Sequence, residues 1–392
     1  MKLNDLPSSF VDDLVAIRRD IHANPELGFQ ELRTSALVAE RLKAYGVDEV
    51  HTRIGKTGLV GVIRGKRSGG SIGLRADMDA LPMPEKNTFL YASKANKVMH
   101  ACGHDGHTTM VLGAARYLAE TRNFAGTVHV IFQPAEEGGG GGRVMCEEGL
   151  FKRFDCDRIF AVHNRPDLQL GKWGTRVGPF MAAADSFTIE ITGRGGHAAR
   201  PHLLCDPMVV AANLILAAQT IVSRNVSPLE TAVMGISAVE GGNLPASNVV
   251  PDKVVLTGTV RTYDKAVQDL IEARLGEMVA GVCAAHRAQG ELRYERGYPP
   301  VINTAAEVEF ARTVAAEVWG EENADANYTP SMGGEDFSYM LQERPGCYSV
   351  IGQGPAGQPI VPLHNTRYDF CDAIIPNGVR YFSRLVERGL PL

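Results

Sequence analysis

The sequence predicts an α/β protein interrupted by a smaller α+β unit, in which two helices cover a four-stranded sheet. In the first third of the 392 residues, β-rich runs alternate with helical segments, which favours a sheet with parallel strands. A stretch of strands with two long helical segments follows, and the C-terminal part returns to the first pattern. We therefore expect a main domain at 1–181 and 297–392 and an inserted domain at 182–296.

The elements of the main domain follow from apolar spacing and from residues that end helices. Asn24-Pro25 ends the first helical segment, and Gly46 ends the second. The predicted helices are 11–21, 31–45, 108–119 and a last one from about Pro376. The predicted strands are 59–63, 72–74, 128–132 and 159–162.

The inserted unit differs from its surroundings by its two long helices. The predicted strands are 187–191, 232–238 and 254–260. The predicted helices are 207–223 and 266–286. This order indicates a compact unit with both helices on one face of its sheet.

Charge and composition narrow the class of protein. The net charge is −5 and no run of Lys or Arg occurs, so we expect no nucleic-acid partner. There is no stretch of about 20 apolar residues and no apolar signal-peptide core, so we expect no membrane span and no secretion signal. The seven cysteines are scattered, which favours a cytoplasmic location over a disulfide framework.

Four short segments hold most of the side chains that are able to bind a metal. They are 99–107, 133–138, 161–164 and 363–365. Glu136 and Glu137 follow one predicted strand, His163 follows another, and Asp77 and Asp79 come after a third. In open α/β sheets, ligands bind outside the carboxyl ends of the strands. We therefore expect these polar side chains to meet at one edge of the sheet.

One cysteine, three histidines and one glutamate form the predicted ligand set: Cys102, His104, His163, His364 and one of the pair Glu136-Glu137. Such donors suit zinc, and imidazole and carboxylate also suit manganese, nickel or cobalt. Five donors are enough for two divalent ions if a ligand such as the thiolate, or a water, bridges them. The adjacent Glu136 and Glu137 can divide two roles, because a hydrolytic site needs one carboxylate that holds the metal and another, not bound to metal, that acts as the general base.

Other interpretations of these residues are weaker. A hydrolase with Cys102 as the nucleophile is the main rival, but the crowding of histidines around it suits chelation better. A protein that binds metal without catalysis, or a scaffold that has lost its activity, is the rival outside the enzyme class, although Glu136 argues against it. His100 and His107 are expected to support the ligands rather than bind metal. The glycine run at 138–142 lacks the Lys-Ser/Thr of a phosphate-binding loop.

Several segments in order resemble the M20 metallopeptidase family, specifically its amidohydrolase branch. They are RRDIHANPELGFQE (18–31), LRADMDALPMPE (74–85), MHACGHDGHTTM (99–110), IFQPAEEGGGG (131–141), AVHN (161–164), GRGGHAARPH (193–202), MGGEDFSYM (332–340) and LHNTRYDF (363–370). The resemblance implies a zinc-peptidase-like catalytic domain interrupted by a smaller dimerisation or lid domain. It also implies that two divalent ions are bound by Cys102, His104, Glu137, His163 and His364, and that Glu136 is the base.

The same resemblance implies the activity and the remaining site residues. The expected reaction is metal-dependent hydrolysis of N-acyl amino acids, such as N-acetyl or N-benzoyl compounds, by a metal-bound water that Glu136 activates. His197 is expected to reach a catalytic site, often that of the partner subunit, and to hydrogen-bond the carbonyl oxygen of the substrate. Asn248 and Arg261 are expected to hold the substrate. The resemblance also implies a homodimer or homotetramer. The peptidase branches carry His-x-Asp where this chain has Asp77-Met78-Asp79, which favours the amidohydrolase branch. A dipeptidase or carboxypeptidase of the same family is the alternative.

Overall fold

The structure is a computed structural model that describes residues 2–354, 357 and 359–392. Its helices are α1 Ser8–Ala23, α2 Leu32–Ala44, α3 His104–Thr121, α4 Gly141–Glu147, α5 Leu150–Arg153, α6 Pro207–Asn225, α7 Lys265–Ala285, α8 Ala305–Trp319, α9 Ser338–Glu343 and α10 Ile375–Gly389. Its strands are β1 Glu49–Ile54, β2 Gly58–Arg64, β3 Arg67–Asp77, β4 Ala125–Gln133, β5 Arg158–Gln169, β6 Trp173–Gly174, β7 Gly178–Met181, β8 Ala183–Thr192, β9 Gly196–His197, β10 Ala232–Gly241, β11 Val249–Val250, β12 Lys253–Thr262, β13 Gln289–Tyr298, β14 Val301–Asn303, β15 Ala324–Asp325 and β16 Gly346–Gly354. Each predicted helix and strand overlaps one of these elements.

The chain divides into two compact units. The first unit comprises Met1–Phe180, Val301–Pro330 and Asp336–Leu392. The second unit comprises Met181–Pro300 and Ser331–Glu335. The bounds expected for the inserted domain were residues 182 and 296.

An eight-stranded sheet in the order β1-β2-β4-β3-β5-β16-β6-β15 forms the middle of the first unit. The expected parallel pairing is found at its centre, where β3 pairs with β4 and β5, and β5 pairs with β16. The expectation is wrong for the outer strands, because β1, β2 and β4 pair antiparallel. The short turn between β1 and β2 explains the direction of that pair, since only antiparallel neighbours can be joined by a hairpin.

The core of the first unit explains why its strands are so apolar. Most of β4 is buried, and so is all of β16, as expected for strands covered by helices on both faces. Phe132 and Phe160 from the sheet pack in one cluster with Leu14 of α1, Leu112 of α3 and Leu385 of α10. Burial of each such side chain contributes about 1.5–3 kcal/mol to folding.

The second unit consists of an antiparallel sheet, in the order β10-β12-β8-β13, with α6 and α7. Side chains of β8 alternate between buried and more exposed positions, so this strand buries one face. Phe187 and Ile189 of β8 pack in one core with Leu214 of α6 and Leu275 of α7. Strand β13 was not predicted, because its sequence is mostly polar, as fits its place at the edge of the sheet.

Helix α6 is long and apolar enough to cross a membrane, judged by length and composition among the described residues. Its Val210, Leu214 and Ile221 lie in the core of the second unit. The opposite side exposes Val209 and Leu216. Packing on the sheet therefore accounts for the apolar side chains on one side of α6.

Candidate metal centre

The parallel pairing of three strands brings the predicted segments to one edge of the large sheet. Asp77, the last residue of β3, is paired with Gln133, the last residue of β4, so the loops after both strands start side by side. Ala161 of β5 is paired with Arg75, which places His163 near the same edge. We expected His163 to follow its strand. It lies instead within β5, because that strand continues along β16 as far as Gln169.

The start of α3 places the first two predicted ligands. Cys102 comes just before the helix and His104 is its first residue, four residues earlier than predicted. Gly103 between them has φ +104°, and a Cβ atom there would lie 2.1 Å from Oδ1 of Asn164. Only glycine fits this close approach, so the turn between the two ligands depends on it.

The five predicted ligands form two groups that share Cys102. The inner triad is Cys102, His104 and His163, and all three residues are buried. The outer triad is Cys102, Glu137 and His364, and the ligand atoms of each triad lie within 4.8 Å of one another. The Cys102 Sγ atom lies 3.3 Å from Nε2 of His163, and Nε2 of His364 lies 3.1 Å from Oε1 of Glu137.

The two inner histidines are held in the form that a metal requires. Nδ1 of His104 lies 2.9 Å from the carbonyl oxygen of Asp79, and Nδ1 of His163 lies 2.7 Å from that of Asn164. A carbonyl oxygen only accepts, so each Nδ1 carries a proton and each Nε2 is the ring atom left to bind a metal. Nε2 of His104 is buried without a hydrogen-bond partner among the described residues, which is costly unless an ion binds there. The donors therefore fit divalent metal ions.

Asp79 links the inner triad to the turn that carries the paired glutamates. Its carboxylate accepts the backbone N–H groups of Glu136 at 3.0 Å and Glu137 at 2.9 Å. It also lies 3.2 Å from Nδ1 of His104. Asp79 was given no role from the sequence, although its place directly after a predicted strand was the signal available.

The two glutamates differ in their surroundings. Glu137 belongs to the outer triad, next to His364. Oε2 of Glu136 lies 3.9 Å from Nε2 of His104, and the residue is buried. Adjacent residues in the turn thus have different neighbours, although one carboxylate oxygen of each lies within 4.8 Å of the other and of a ring nitrogen of His104.

Burial and charge determine the protonation of the cluster. Burial, reinforced by the neighbouring His107, holds the pKa of His163 well below its usual range, so this ring is neutral. Burial, and then the negative charge of Glu137, raises the pKa of the Cys102 thiol. A nucleophilic cysteine needs a lowered pKa, so this environment disfavours the rival cysteine mechanism.

Asp77 and His107 support the cluster from behind. His107 uses both ring nitrogens, with Nδ1 2.7 Å from Asp77 and Nε2 2.7 Å from Oδ1 of Asn164. The other oxygen of Asp77 accepts from Arg75 at 2.7 Å. Hydrogen bonds therefore occupy both ring nitrogens of His107 and both oxygens of Asp77, although these two residues and His104 also form a group whose possible ligand atoms lie within 4.8 Å of one another.

His197 and Asn248 lie next to each other in the second unit, on the short pair β9 and β11. His197 is paired with Val249, and its exposed ring accepts the backbone N–H of Ala199 at Nδ1, 3.2 Å away. The carbonyl oxygen of Asn248 accepts the N–H of Ala198 at 2.9 Å.

Arg261 lies apart from that pair within the second unit, on β12. Its Nη1 donates to the carbonyl oxygens of Val260 at 3.0 Å and Asp185 at 3.3 Å, and to the Thr259 hydroxyl. The guanidinium is thus partly occupied by its own unit.

Comparison with known proteins gives consistent results. The profile of peptidase family M20/M25/M40 matches residues 73–388. A hippurate hydrolase of Campylobacter jejuni is 42% identical over 374 residues, which cover 95% of this chain and 96% of that protein. An N-acetyl-L-cysteine deacetylase of Bacillus subtilis is 40% identical over 88% of this chain and 81% of that protein. A crystal structure of a Bacillus subtilis protein, described as a dinuclear metal binding peptidase from the M20 family, has a TM-score of 0.84 and 32% identity, and covers 98% of this chain and 99% of its own.

Proposed function

Because this chain belongs to peptidase family M20/M25/M40, we propose that it hydrolyses the amide bond of N-acyl amino acids. The products are a carboxylic acid and a free amino acid. The observation that carries the proposal is the cluster of five ligand groups around Cys102, with Glu136 beside it. The relatives named hippurate hydrolase and N-acetyl-L-cysteine deacetylase act on compounds of this class, as their names state.

The inner and outer triads would hold two divalent ions, zinc, manganese, nickel or cobalt, with Cys102 as the shared ligand. When bound, such ions polarise a carbonyl group and lower the pKa of water. The neutral ring of His163, with its Nδ1 proton donated to a carbonyl oxygen, supplies a ligand without losing a proton. Asp79 keeps His104 in the corresponding tautomer.

Glu136 is the general base of the proposed reaction. Its carboxylate takes a proton from the attacking water as the water oxygen bonds to the amide carbon. The proton then passes to the amide nitrogen, the C–N bond breaks, and the amine leaves. Burial of Glu136 keeps bulk water away from the proton transfer. The hydrogen bond from the backbone N–H of Glu136 to the Asp79 carboxylate holds the turn that carries this base.

We further propose that the active site is completed by the second unit of a partner subunit in a homodimer or homotetramer. His197 would donate a hydrogen bond to the carbonyl oxygen that becomes negative during attack. Because Nδ1 of His197 accepts from Ala199, a neutral ring carries its proton on the exposed Nε2, as such a donor requires. Asn248 and Arg261 would hold the substrate.

The second unit also offers a surface for pairing with a partner. Val209 and Leu216 of α6 and Val233 and Val239 of the edge strand β10 expose apolar side chains. An edge strand beside exposed apolar side chains is a typical surface for association with another chain. A cytoplasmic location is proposed because all seven cysteines are free thiols.

A substrate comparison distinguishes this function from the alternative, a dipeptidase or carboxypeptidase. The description of the Bacillus subtilis structure as a peptidase favours that alternative. kcat/KM would be measured for N-acetyl and N-benzoyl amino acids and for dipeptides with the same C-terminal residue. The proposal predicts the higher values for the N-acyl amino acids. A consistent preference for dipeptides would support the alternative.

A further inference from the structure

Arg18, on α1, lies among acidic side chains from two distant parts of the chain. The residue is fully buried, and its Nε donates to Asp372 at 2.7 Å. Its Nη1 donates to Asp369 at 2.9 Å and lies 3.5 Å from Asp105. Its Nη2 donates to the carbonyl oxygen of Phe370 at 3.4 Å. A planar guanidinium suits this position because its donors have fixed directions and hold several acceptors at once.

The strongest contacts of Arg18 are with the segment that carries His364. Asp369 comes five residues after His364 in the sequence, and Phe370 and Asp372 follow it. The N–H of His364 donates to the carbonyl oxygen of Ala101 at 2.7 Å, but its side chain is 53% exposed. The position of this ring therefore depends on how the surrounding loop is anchored.

Tyr91 provides a second contact with the same anchor. Its hydroxyl donates to Asp369 at 2.7 Å. Its ring lies 4.8 Å from the guanidinium carbon of Arg18 and 4.6 Å from that of Arg19, within the range of cation–π contacts. Asp369 is thus held from two sides, by a buried cation and by a phenol.

The inner triad depends much less on Arg18. Asp105, which follows His104, is held separately by His22 at 2.8 Å, and its contact with Arg18 is longer. His104 and His163 belong to α3 and β5 and are fixed by hydrogen bonds to carbonyl oxygens. The inner ligands are therefore positioned by regular secondary structure and the outer histidine by an anchored loop.

We propose that Arg18, assisted by Tyr91, is a positioning residue for the outer metal. By anchoring the loop that carries His364, it sets the affinity of the outer triad for a divalent ion and leaves the inner triad largely unaffected. Neither residue is a metal ligand. The inference rests on the ligand assignment given under Proposed function.

Zinc binding to the metal-free protein tests this inference. The first and second Zn²⁺ affinities would be measured by competition with a chromophoric chelator. Arg18→Lys keeps the charge but loses the fork of donors, and we expect it to weaken the second Zn²⁺ by about 10–100-fold, as loss of residues behind metal ligands typically does. Tyr91→Phe, which removes one hydrogen bond at the edge of the anchor, is expected to weaken it less. Affinity for the first Zn²⁺ should not change.

Asp13→Asn is the matched control on the same helix. Asp13 pairs with Arg116 at 3.1 Å and makes no described contact with the loop of His364, so both affinities should equal those of the wild type. Equal weakening of both ions by Arg18→Lys, or wild-type affinity for the second ion in both Arg18→Lys and Tyr91→Phe, would overturn the inference. A wild-type protein that binds fewer than two Zn²⁺ would overturn the ligand assignment as well, and that result is visible before any variant is compared.

Discussion

His104 and Asp79 are joined by two contacts that fix one tautomer of the imidazole ring. Nδ1 of His104 lies 2.9 Å from the carbonyl oxygen of Asp79 and 3.2 Å from its carboxylate. The same carboxylate accepts the backbone N–H groups of Glu136 and Glu137. One acidic side chain therefore orients a proposed ligand and the turn that carries the proposed base.

Asp79→Asn is expected to weaken metal binding by about 10–100-fold, because an amide offers fewer acceptors and turns an N–H toward existing donors. Metal content would be measured after dialysis against buffered Zn²⁺. Asp155→Asn, at an exposed surface ion pair, is the control and should bind as the wild type does. Unchanged metal affinity in Asp79→Asn would show that this carboxylate does not organise the centre.

Glu136→Gln and Glu137→Gln are expected to have different defects. Glu136→Gln should keep its metal and lose about 10²–10⁴-fold in kcat, the usual contribution of a positioned general base. Glu137→Gln should lose metal, because the outer triad then lacks its carboxylate. Metal content and kcat measured together would check both, and exchanged phenotypes would refute the assignment of roles.

The buried His22 is expected to make the stability of the metal-free protein depend on pH. Burial lowers its pKa, but hydrogen bonds to Asp105 and Glu85 outweigh this and raise the pKa to about 9. The ordinary value is about 6.5, so this stabilisation, about 3 kcal/mol, is complete below pH 6.5 and is lost as the pH rises through 9.

Urea unfolding of the wild type and His22→Gln at several pH values would measure the effect. The variant should be less stable at pH 6.5, and the difference should decrease by pH 9.5. Groups that titrate in both proteins cancel in this comparison. A difference that stays constant over this range would contradict the account of His22.

His197 is expected to act in the active site of a partner subunit. Glu136→Gln and His197→Ala homodimers should each be nearly inactive, since removal of an oxyanion donor costs about 10²–10³-fold in kcat. Mixing them with subunit exchange should restore activity, because some hybrid dimers then hold one intact site. If exchange is demonstrated and no activity returns, His197 acts within its own subunit, and a fully active His197→Ala enzyme would exclude it from the mechanism.

Local patterns predicted six of the ten described α-helices, the strands β2 to β5 and the edge where the ligands meet, but not α8 or β16. Strand β4 was recognisable because its last six residues are mostly apolar, and the structure buries all six. Glu136 and Glu137 were placed correctly after it. Strand β13 was missed because a polar edge strand carries little periodic signal. The anchor of Arg18 was also not predictable, since its partner Asp369 is 351 positions away and nothing local to either residue indicates the contact.

The central claim is most directly tested by hydrolysis of N-benzoylglycine before and after removal of metal. The account predicts two divalent ions per chain by elemental analysis, loss of turnover on exhaustive chelation, and recovery when Zn²⁺, Mn²⁺, Ni²⁺ or Co²⁺ is added. Full turnover by protein shown to contain no metal would contradict it.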